Sequence, residues 1–546
     1  SGFGWAAGAP LPISLSKTFT DILPSSTGTR DIDTYRALVA LDGDFKAGER
    51  DMYWSVSASH AGTDGEVRNW DIWQSRFDNA IDARADANGN PVCAINVDAD
   101  PANDDPACAP LNPFGVGNVS DAASNYVSAR FGQDFENRQW DYLATLGGTV
   151  FALPGGDVKF SVAYEHREEE STFTPTEASL LGLGRAGVPT VEQSGQYHTN
   201  EFSAEVLVPL LGQDFSIPMV DALELSGAYR TVDNSIAGTE NVWNAGLRWS
   251  IVPDVALRGS RGRNFRAPNL AQLFSPTTTG LEGILQDPCD VQRIDTGPNP
   301  TVRRANCEAL FAANPGYGPL ATFEDPAENF PTVLVTRGGN RDLENEVSDT
   351  TTYGVVLQPR FVDGLTVIVD RVEIDLENGL SFFAPMDFLA TCFDSAVQPA
   401  DICAVTTRND VGHVVTSSAL TFNAGSIRFR GETYTVNYSF GDGSWGRMDL
   451  NLEGTHTSLL ETSVTGVDRT RTDGSAENPS WRARLDARYS RGPLGLLYTL
   501  SYLPETRVVR EATIENTPNP ILSANYRHSI SARYDIGEMF TIRAGV

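Results

Sequence analysis

Six cysteines, six histidines and one arginine-dense stretch carry most of the chemistry available to this 546-residue chain. The cysteines fall into three close pairs: Cys93 with Cys108, Cys289 with Cys307, and Cys392 with Cys403. None has a CxxC spacing or a histidine at ligand spacing, which argues against zinc. An even, locally paired set predicts three loop-stapling disulfides made in an oxidising compartment such as the periplasm. Each would contribute about 3 kcal/mol on the chain-entropy model. Six reduced, buried thiols are the alternative reading. His60, His166, His198, His413, His456 and His528 are scattered and form no HExxH-like constellation, so ordinary lumenal or surface imidazoles are expected. Arg258, Arg263 and Arg266 can pair with carboxylates or touch a ligand, and wall-stabilising pairing is the expected role. The run Glu168-Glu169-Glu170 reads as solvated charge, or as the seat of a cation bridging lipopolysaccharide. No Walker A, GxSxG or dinucleotide fingerprint occurs, so no catalytic residue, cofactor or metal site is expected.

The elements that must position these residues are strands. Between Thr433 and Phe440, Thr433, Thr435, Asn437 and Ser439 alternate with Tyr434, Val436, Tyr438 and Phe440. The same rhythm runs through Val158–Tyr164, Leu223–Tyr229, Met448–Leu452, Trp481–Tyr489 and Ser529–Asp535. A period of two puts one set of side chains on each face of a strand. Sixteen strands are expected, near 32–44, 51–62, 135–152, 156–169, 196–211, 221–233, 240–251, 254–265, 347–360, 364–378, 428–440, 445–458, 480–490, 494–506, 523–535 and 538–546. Hydrophobic residues make up 40% of the chain and mean hydropathy is −0.24, with no apolar run long enough for a spanning helix. A transmembrane β-barrel needs none, because every second residue faces water. The formal charge of −30, from 71 acidic and 41 basic residues, opposes nucleic-acid binding.

Every second connection is turn-like: Lys46-Ala47-Gly48-Glu49, Leu153-Pro154-Gly155-Gly156, Val252-Pro253-Asp254, Gly441-Asp442-Gly443-Ser444, Arg491-Gly492-Pro493 and Ile536-Gly537. The intervening connections are long, at 63–134, 170–195, 266–346, 379–427, 459–479 and 507–522, with 234–239 the exception. All three cysteine pairs fall on the long-loop side. Trp70–Ala83 and Phe382–Cys392 read as short surface helices, and Asp98–Pro106 as an exposed loop tip. Short periplasmic turns and long outer loops are the rule for outer-membrane barrels. On that rule both ends of the strand array lie outside the cell. The chain is then expected to be a fragment, with 1–31 an extracellular loop remnant and 32–546 a barrel incomplete at both ends. Trp54, Trp140, Trp243, Trp249, Trp445 and Trp481 are expected in interfacial girdles.

Three motifs carry a resemblance. The segment from Arg258 through Arg263, Phe265, Arg266, Ala267, Pro268, Asn269 and Leu270 to Phe274 resembles the mid-barrel signature of TonB-dependent outer-membrane receptors. Asn340, Leu343, Glu344 and Glu346, followed by Ser348-Asp349-Thr350, resemble that family's Gly-Asn-x-x-Leu-x-x-Glu box. Leu365–Leu380 resembles the strand that follows. Cys108–Gly115, and Cys392 and Cys403 followed by Arg408, resemble loops of one branch of the family. The resemblance implies an all-β, antiparallel 22-strand barrel of which strands 6 to 21 are present, with these motif residues structural.

By resemblance, the parent protein takes up a scarce ligand, such as a siderophore, cobalamin, other metal chelate or oligosaccharide. Its location is the outer membrane of a Gram-negative bacterium, among lipid and lipopolysaccharide. Energy comes from the TonB–ExbB–ExbD complex acting through a plug, and no covalent chemistry is implied. Ligand-contacting residues are not assigned beyond the loops 63–134, 170–195, 266–346 and 379–427. A passive porin, and a secreted β-rich carbohydrate-binding protein or enzyme, are the competing readings.

Overall fold

A computed structural model describes residues 22–23, 28–184, 187–212, 215, 217–282, 287–325 and 333–546. Sixteen long strands follow one another in the chain. They are β1 (Gly28–Ala47), β2 (Arg50–Ile72), β3 (Ser128–Leu153) and β4 (Gly156–Pro175). Next come β5 (Gln193–Leu211), β6 (Ala222–Asn234), β7 (Gly238–Val252) and β8 (Val255–Arg266). Across the longest connection follow β9 (Glu346–Leu357), β10 (Leu365–Phe383), β11 (Val414–Asp442) and β12 (Gly446–Ser463). The array ends with β13 (Trp481–Arg491), β14 (Leu494–Leu503), β15 (Asn525–Ile536) and β16 (Phe540–Gly545). Each pairs antiparallel with its neighbours in sequence, and short strands from the loops bring the sheet to 20. Among the described residues, β1 pairs only with β2, and β16 only with β15.

These sixteen are the strands the alternation predicts, but several run further. β2 continues to Ile72 and β3 begins at Ser128, inside the stretch expected as loop. There the apolar row is missing, so the pattern ends near Gly62. The ladder persists because Arg68 bonds Asp134 at 2.7 Å and Arg138 bonds Asp64 at 2.7 Å across it. Similarly, β11 starts at Val414 rather than near 428. Residues 1–21 and 24–27 of the expected loop remnant lie outside the described residues, and β1 already includes Gly28–Asp31.

Register fixes two contrasting faces. On β12, β13 and β14 one face carries Met448, Leu450 and Leu452, then Leu485, Ala487 and Tyr489, then Leu496, Tyr498 and Leu500. The opposite face carries Asp449, Asn451 and Glu453, then Arg484, Asp486 and Arg488, then Thr499 and Ser501. On β15 the apolar row is Tyr526, His528, Ile530, Ala532, Tyr534 and Ile536, all exposed except the half-buried Ala532. From Tyr526 to Ile536 the strand is about 33 Å long at about 3.3 Å per residue. At a tilt of about 40° that is roughly 25 Å of height, the thickness of an outer-membrane apolar band. Trp54 and Trp249 stand on this face near the short turns, and Trp140, Trp243 and Trp481 nearer the long loops.

The cores lie in the long loops. Helix α1 (Gln74–Ile81) and helix α2 (Asp121–Val127), capped by Ser120 on Ala123 N, gather Ile22, Ile72, Ala80, Leu111 and Tyr126. The expected helix at Trp70–Ala83 is thus shorter, since Trp70–Ile72 still belong to β2. Asp98–Asp104 is exposed, as a loop tip should be. Three more helices, α3 (Glu177–Leu180), α4 (Leu270–Phe274) and α5 (Pro300–Ala313), precede β9. Two, α6 (Pro385–Asp394) and α7 (Ala400–Ala404), follow β10. The second expected helix, Phe382–Cys392, is α6 displaced by a few residues: Phe382 and Phe383 remain in β10, and Pro385 supplies the helix's first turn.

Candidate functional site

The polar face carries Arg258 and Arg266 of the arginine-rich strand β8, whereas Arg263 shares the register position of Trp243 on the other face. Arg258 reaches over β9 to Asp370 on β10, with Nε–Oδ1 at 2.8 Å and Nη2–Oδ2 at 2.5 Å. The residue between them in register is Gly354, where an added Cβ would sit 2.1 Å from Asp370 Oδ1. The missing side chain is what lets the pair bridge an intervening strand. Arg266 faces Glu346 directly across β8 and β9 and binds both its carboxylate oxygens, while Leu380 N donates to Glu346 Oε2 at 2.8 Å. Arg263 lies 3.4 Å from Glu240. All three arginines therefore contact carboxylates of the wall itself.

Beyond Arg266 the two sequence motifs meet in one knot. After Ala267 and Pro268, Asn269 caps α4: its Oδ1 accepts from Gln272 N at 2.8 Å, and Gln272 Oε1 accepts from Asn269 N at 3.0 Å. Asn340 N donates to Gln272 O at 2.8 Å, and Asn340 Nδ2 to Thr421 O at 2.9 Å. Glu344 is held through its backbone, exchanging two hydrogen bonds with the Asn423 amide at 2.8 and 2.9 Å. Leu343, Leu273 and Phe274 are buried together, with Leu270 and Tyr197 packed on them. Phe274 lies flat on Gly195 of β5, where a Cβ would meet the ring at 2.1 Å. Phe265 ends the same strand on the opposite face from Arg266. The chain thus folds back over the polar face.

Above the knot stands a folded cap. It is built from Cys289, Ile294, Cys307, Phe311, Phe323, Val335, Leu389 and Phe393. The short strand Val333–Arg337 runs parallel to the start of β11. Cys289 is bonded to Cys307 and Cys392 to Cys403, while Cys93–Cys108 staples the loop between β2 and β3. Two buried ion pairs tie the cap internally. Arg303 of α5 holds Asp394 of α6 (Nε–Oδ1 2.7 Å, Nη2–Oδ2 2.5 Å), and Arg408 holds Asp287 (Nη2–Oδ1 3.0 Å). A cavity of about 400 Å³ lies between α5, α6 and α7, lined by Leu310, Tyr317, Phe388, Gln398, Cys403 and Arg408 among others.

Asp325 lies beside this cap, its N–H donating to Asp290 Oδ2 at 2.8 Å. Burial, with the Asp287 charge next and that of Asp290 adding to it, raises its pKa to about 6; His413 and Arg408 oppose the shift. The folded cap therefore keeps a proton that the unfolded chain releases at lower pH. This contribution to stability is full below the unfolded carboxyl pKa and is lost as pH rises through about 6. Amide exchange in α5 should show wild type losing stability relative to Asp325→Asn as pH rises from 4 to 7. Parallel profiles would refute it.

Two features escape a reading of the sequence. Helix α5 was expected as loop, although Pro300 at its first turn and the i, i+4, i+8 spacing of Arg303, Cys307 and Phe311 mark it. The histidines, expected to be scattered, are not. His60, His166, His198, His456 and His528 all lie on the apolar face near its long-loop border, and only His413 lies in the cap. Period-two parity could have placed each on that face, but their common level depends on register between strands.

Solved structures similar to this chain include the ferric enterobactin receptor PfeA, at 13% identity over 91% of this chain and 56% of that one, with a TM-score of 0.49. The siderophore receptor PirA from Acinetobacter baumannii is 10% identical over 96% of this chain and 68% of that one, at 0.49. The Serratia marcescens hemophore receptor HasR is 12% identical over 95% of this chain and 63% of that one, at 0.48. The chain thus spans 56% of the length of the first of these. Its residues 12–546 match the family described as TonB dependent receptor-like, beta-barrel. The chain belongs to that family, whose members are outer-membrane β-barrel receptors of Gram-negative bacteria and not enzymes.

Proposed function

We propose that this chain forms wall and outer cap of an outer-membrane receptor that takes up a scarce ligand into the periplasm with energy from TonB–ExbB–ExbD. The ligand class is a metal chelate, cobalamin or oligosaccharide, caught by the long loops. The observation that carries the reading is the division of labour between the two faces. One face is apolar over a height that suits lipid, and the other is polar and roofed by the knot and the disulfide-stapled cap. A passive pore gains nothing from a cap built on two buried ion pairs and two disulfides. A capture device does, because ordered loops lose less entropy when they close on a ligand.

The test is uptake by cells carrying the full-length receptor, with labelled ferric chelates, cobalamin and oligosaccharides as probes. Accumulation of one probe should need the receptor and fall to background when the tonB gene is deleted. Undiminished uptake without TonB would turn the reading toward a porin. Recovery of the protein in a detergent-free soluble fraction would sink the membrane placement itself.

A further inference from the structure

The five histidines on the apolar face sit within a belt of rings. Across β1 to β5, Tyr35, His60, Trp140, Tyr142, His166 and His198 follow one another with centroids 5.6, 3.9, 6.5, 6.3 and 6.1 Å apart. On β11 to β13, Trp481 lies 5.5 Å from Tyr434 and 4.5 Å from His456. On β14 and β15, Tyr498 lies 6.0 Å from His528. The belt marks a change of chemistry. On the short-turn side of it the same face carries Val56, Leu146, Val162, Val206 and Leu452; on the long-loop side it carries Asp64, Glu136, Glu170 and Arg430.

The histidines divide into two kinds. His60 and His166 spend both ring nitrogens inside the belt. His60 bonds Gln139 O and Tyr35 OH at 3.1 and 3.2 Å, and His166 bonds Asn200 Oδ1 and Glu168 Oε1 at 2.8 and 3.2 Å. In contrast, His456 uses only Nδ1, on Glu432 Oε2 at 2.7 Å, and His528 only Nδ1, on Tyr498 OH at 2.8 Å. Among the described residues, Nε2 of His456, Nε2 of His528 and both ring nitrogens of His198 have no hydrogen-bond partner. Tyr and Trp place an apolar body in lipid and a polar tip in the headgroups; imidazole does the same and can add a charge.

We infer that His198, His456 and His528, on β5, β12 and β15, are separate contact points of the belt, each recognising a phosphate group of outer-leaflet lipid. The inference rests on the membrane placement proposed above. A phosphate oxygen accepts the free N–H of each ring. In His456, Nδ1 is turned to Glu432 Oε2 at 2.7 Å, which leaves Nε2 as the outward nitrogen. The charged and titratable groups facing the three rings are Glu168, Glu170 and His166 beside His198, Glu432 and Arg371 beside His456, and Tyr498 beside His528. None of these groups occupies the outward Nε2 of His456 or His528.

The experiment places the full-length receptor in phosphatidylcholine nanodiscs containing trace lipid A or the same lipid A stripped of phosphate. Lipid retention is read by native mass spectrometry at pH 6. The wild type should retain lipid A about tenfold more than the stripped form, roughly the return on one or two charge-assisted hydrogen bonds. The triple variant His198→Phe, His456→Phe, His528→Phe keeps the apolar rings and should retain the two equally. The single variant His198→Phe removes no side-chain hydrogen bond and should lose part of the preference even if the triple variant folds poorly. Equal retention by the wild type, an undiminished preference in the variants, or full competition by millimolar inorganic phosphate would overturn the headgroup surface. Failure to enter nanodiscs at all would instead overturn the membrane placement.

Discussion

Replacing Arg303 by methionine should unfasten the outer cap. The guanidinium is the partner of Asp394, whose carboxylate is fully buried between α5 and α6. Removing one member of a buried pair leaves the other charge without compensation, which costs about 3–5 kcal/mol. The loss also frees α5, since Arg303 Nη1 donates to Arg293 O at 3.1 Å. The disulfides Cys289–Cys307 and Cys392–Cys403 remain, so the cap should loosen locally rather than detach. Hydrogen exchange should report it, with amides of Pro300–Ala313 and Pro385–Asp394 exchanging faster by about two to four orders of magnitude, the same energy expressed as a rate. Combining Arg303→Met with Asp394→Leu should restore most of the protection, because a packed apolar pair removes the buried charge as well. Unchanged protection in Arg303→Met would mean that the pair does not hold the cap.

Phe274→Ala should have the second large effect, and in a different place. Its ring fills the space above Gly195 and joins Leu273 and Leu343 in the knot that links the two sequence motifs. Truncating a buried phenylalanine costs roughly 3–5 kcal/mol, part of it for the cavity left behind. The expected outcome is selective: protease should cut the connection between β8 and β9 while the wall strands stay protected. Gly195→Ala tests the same contact from the other side, since an added methyl has no room under the ring. If both variants resist protease as the wild type does, the knot is not what holds the chain over the polar face.

The wall was legible in the sequence because its two faces meet different solvents. Tyr434, Val436, Tyr438 and Phe440 alternate with Thr433, Thr435, Asn437 and Ser439, and the pattern appears in β11 as written. Where both faces meet water, as in Glu66–Trp70 opposite Arg130–Asp134, no apolar row exists to count and the alternation predicts loop. The motif arginines were readable as a group but not as pairs. Arg258 and Asp370 are far apart in the chain and become partners only through the register that puts Gly354 between them. The link between Asn340 and Gln272 likewise depends on how a long connection returns. Local signals for α5 do exist, in Pro300 and the four-residue spacing of its buried side chains, set within a Gly-, Pro- and Asn-rich connection.

The length of β3 has one more consequence. From Trp140 back to Ser128 the strand continues for twelve residues on the long-loop side of the ring belt. That is about 40 Å of extended chain and, tilted by about 40°, about 30 Å of height. On the membrane placement proposed above, the paired extensions of β1 to β4 would stand as a stiff parapet outside the lipid surface. The stapled loop between β2 and β3 would then be held well clear of the lipid headgroups.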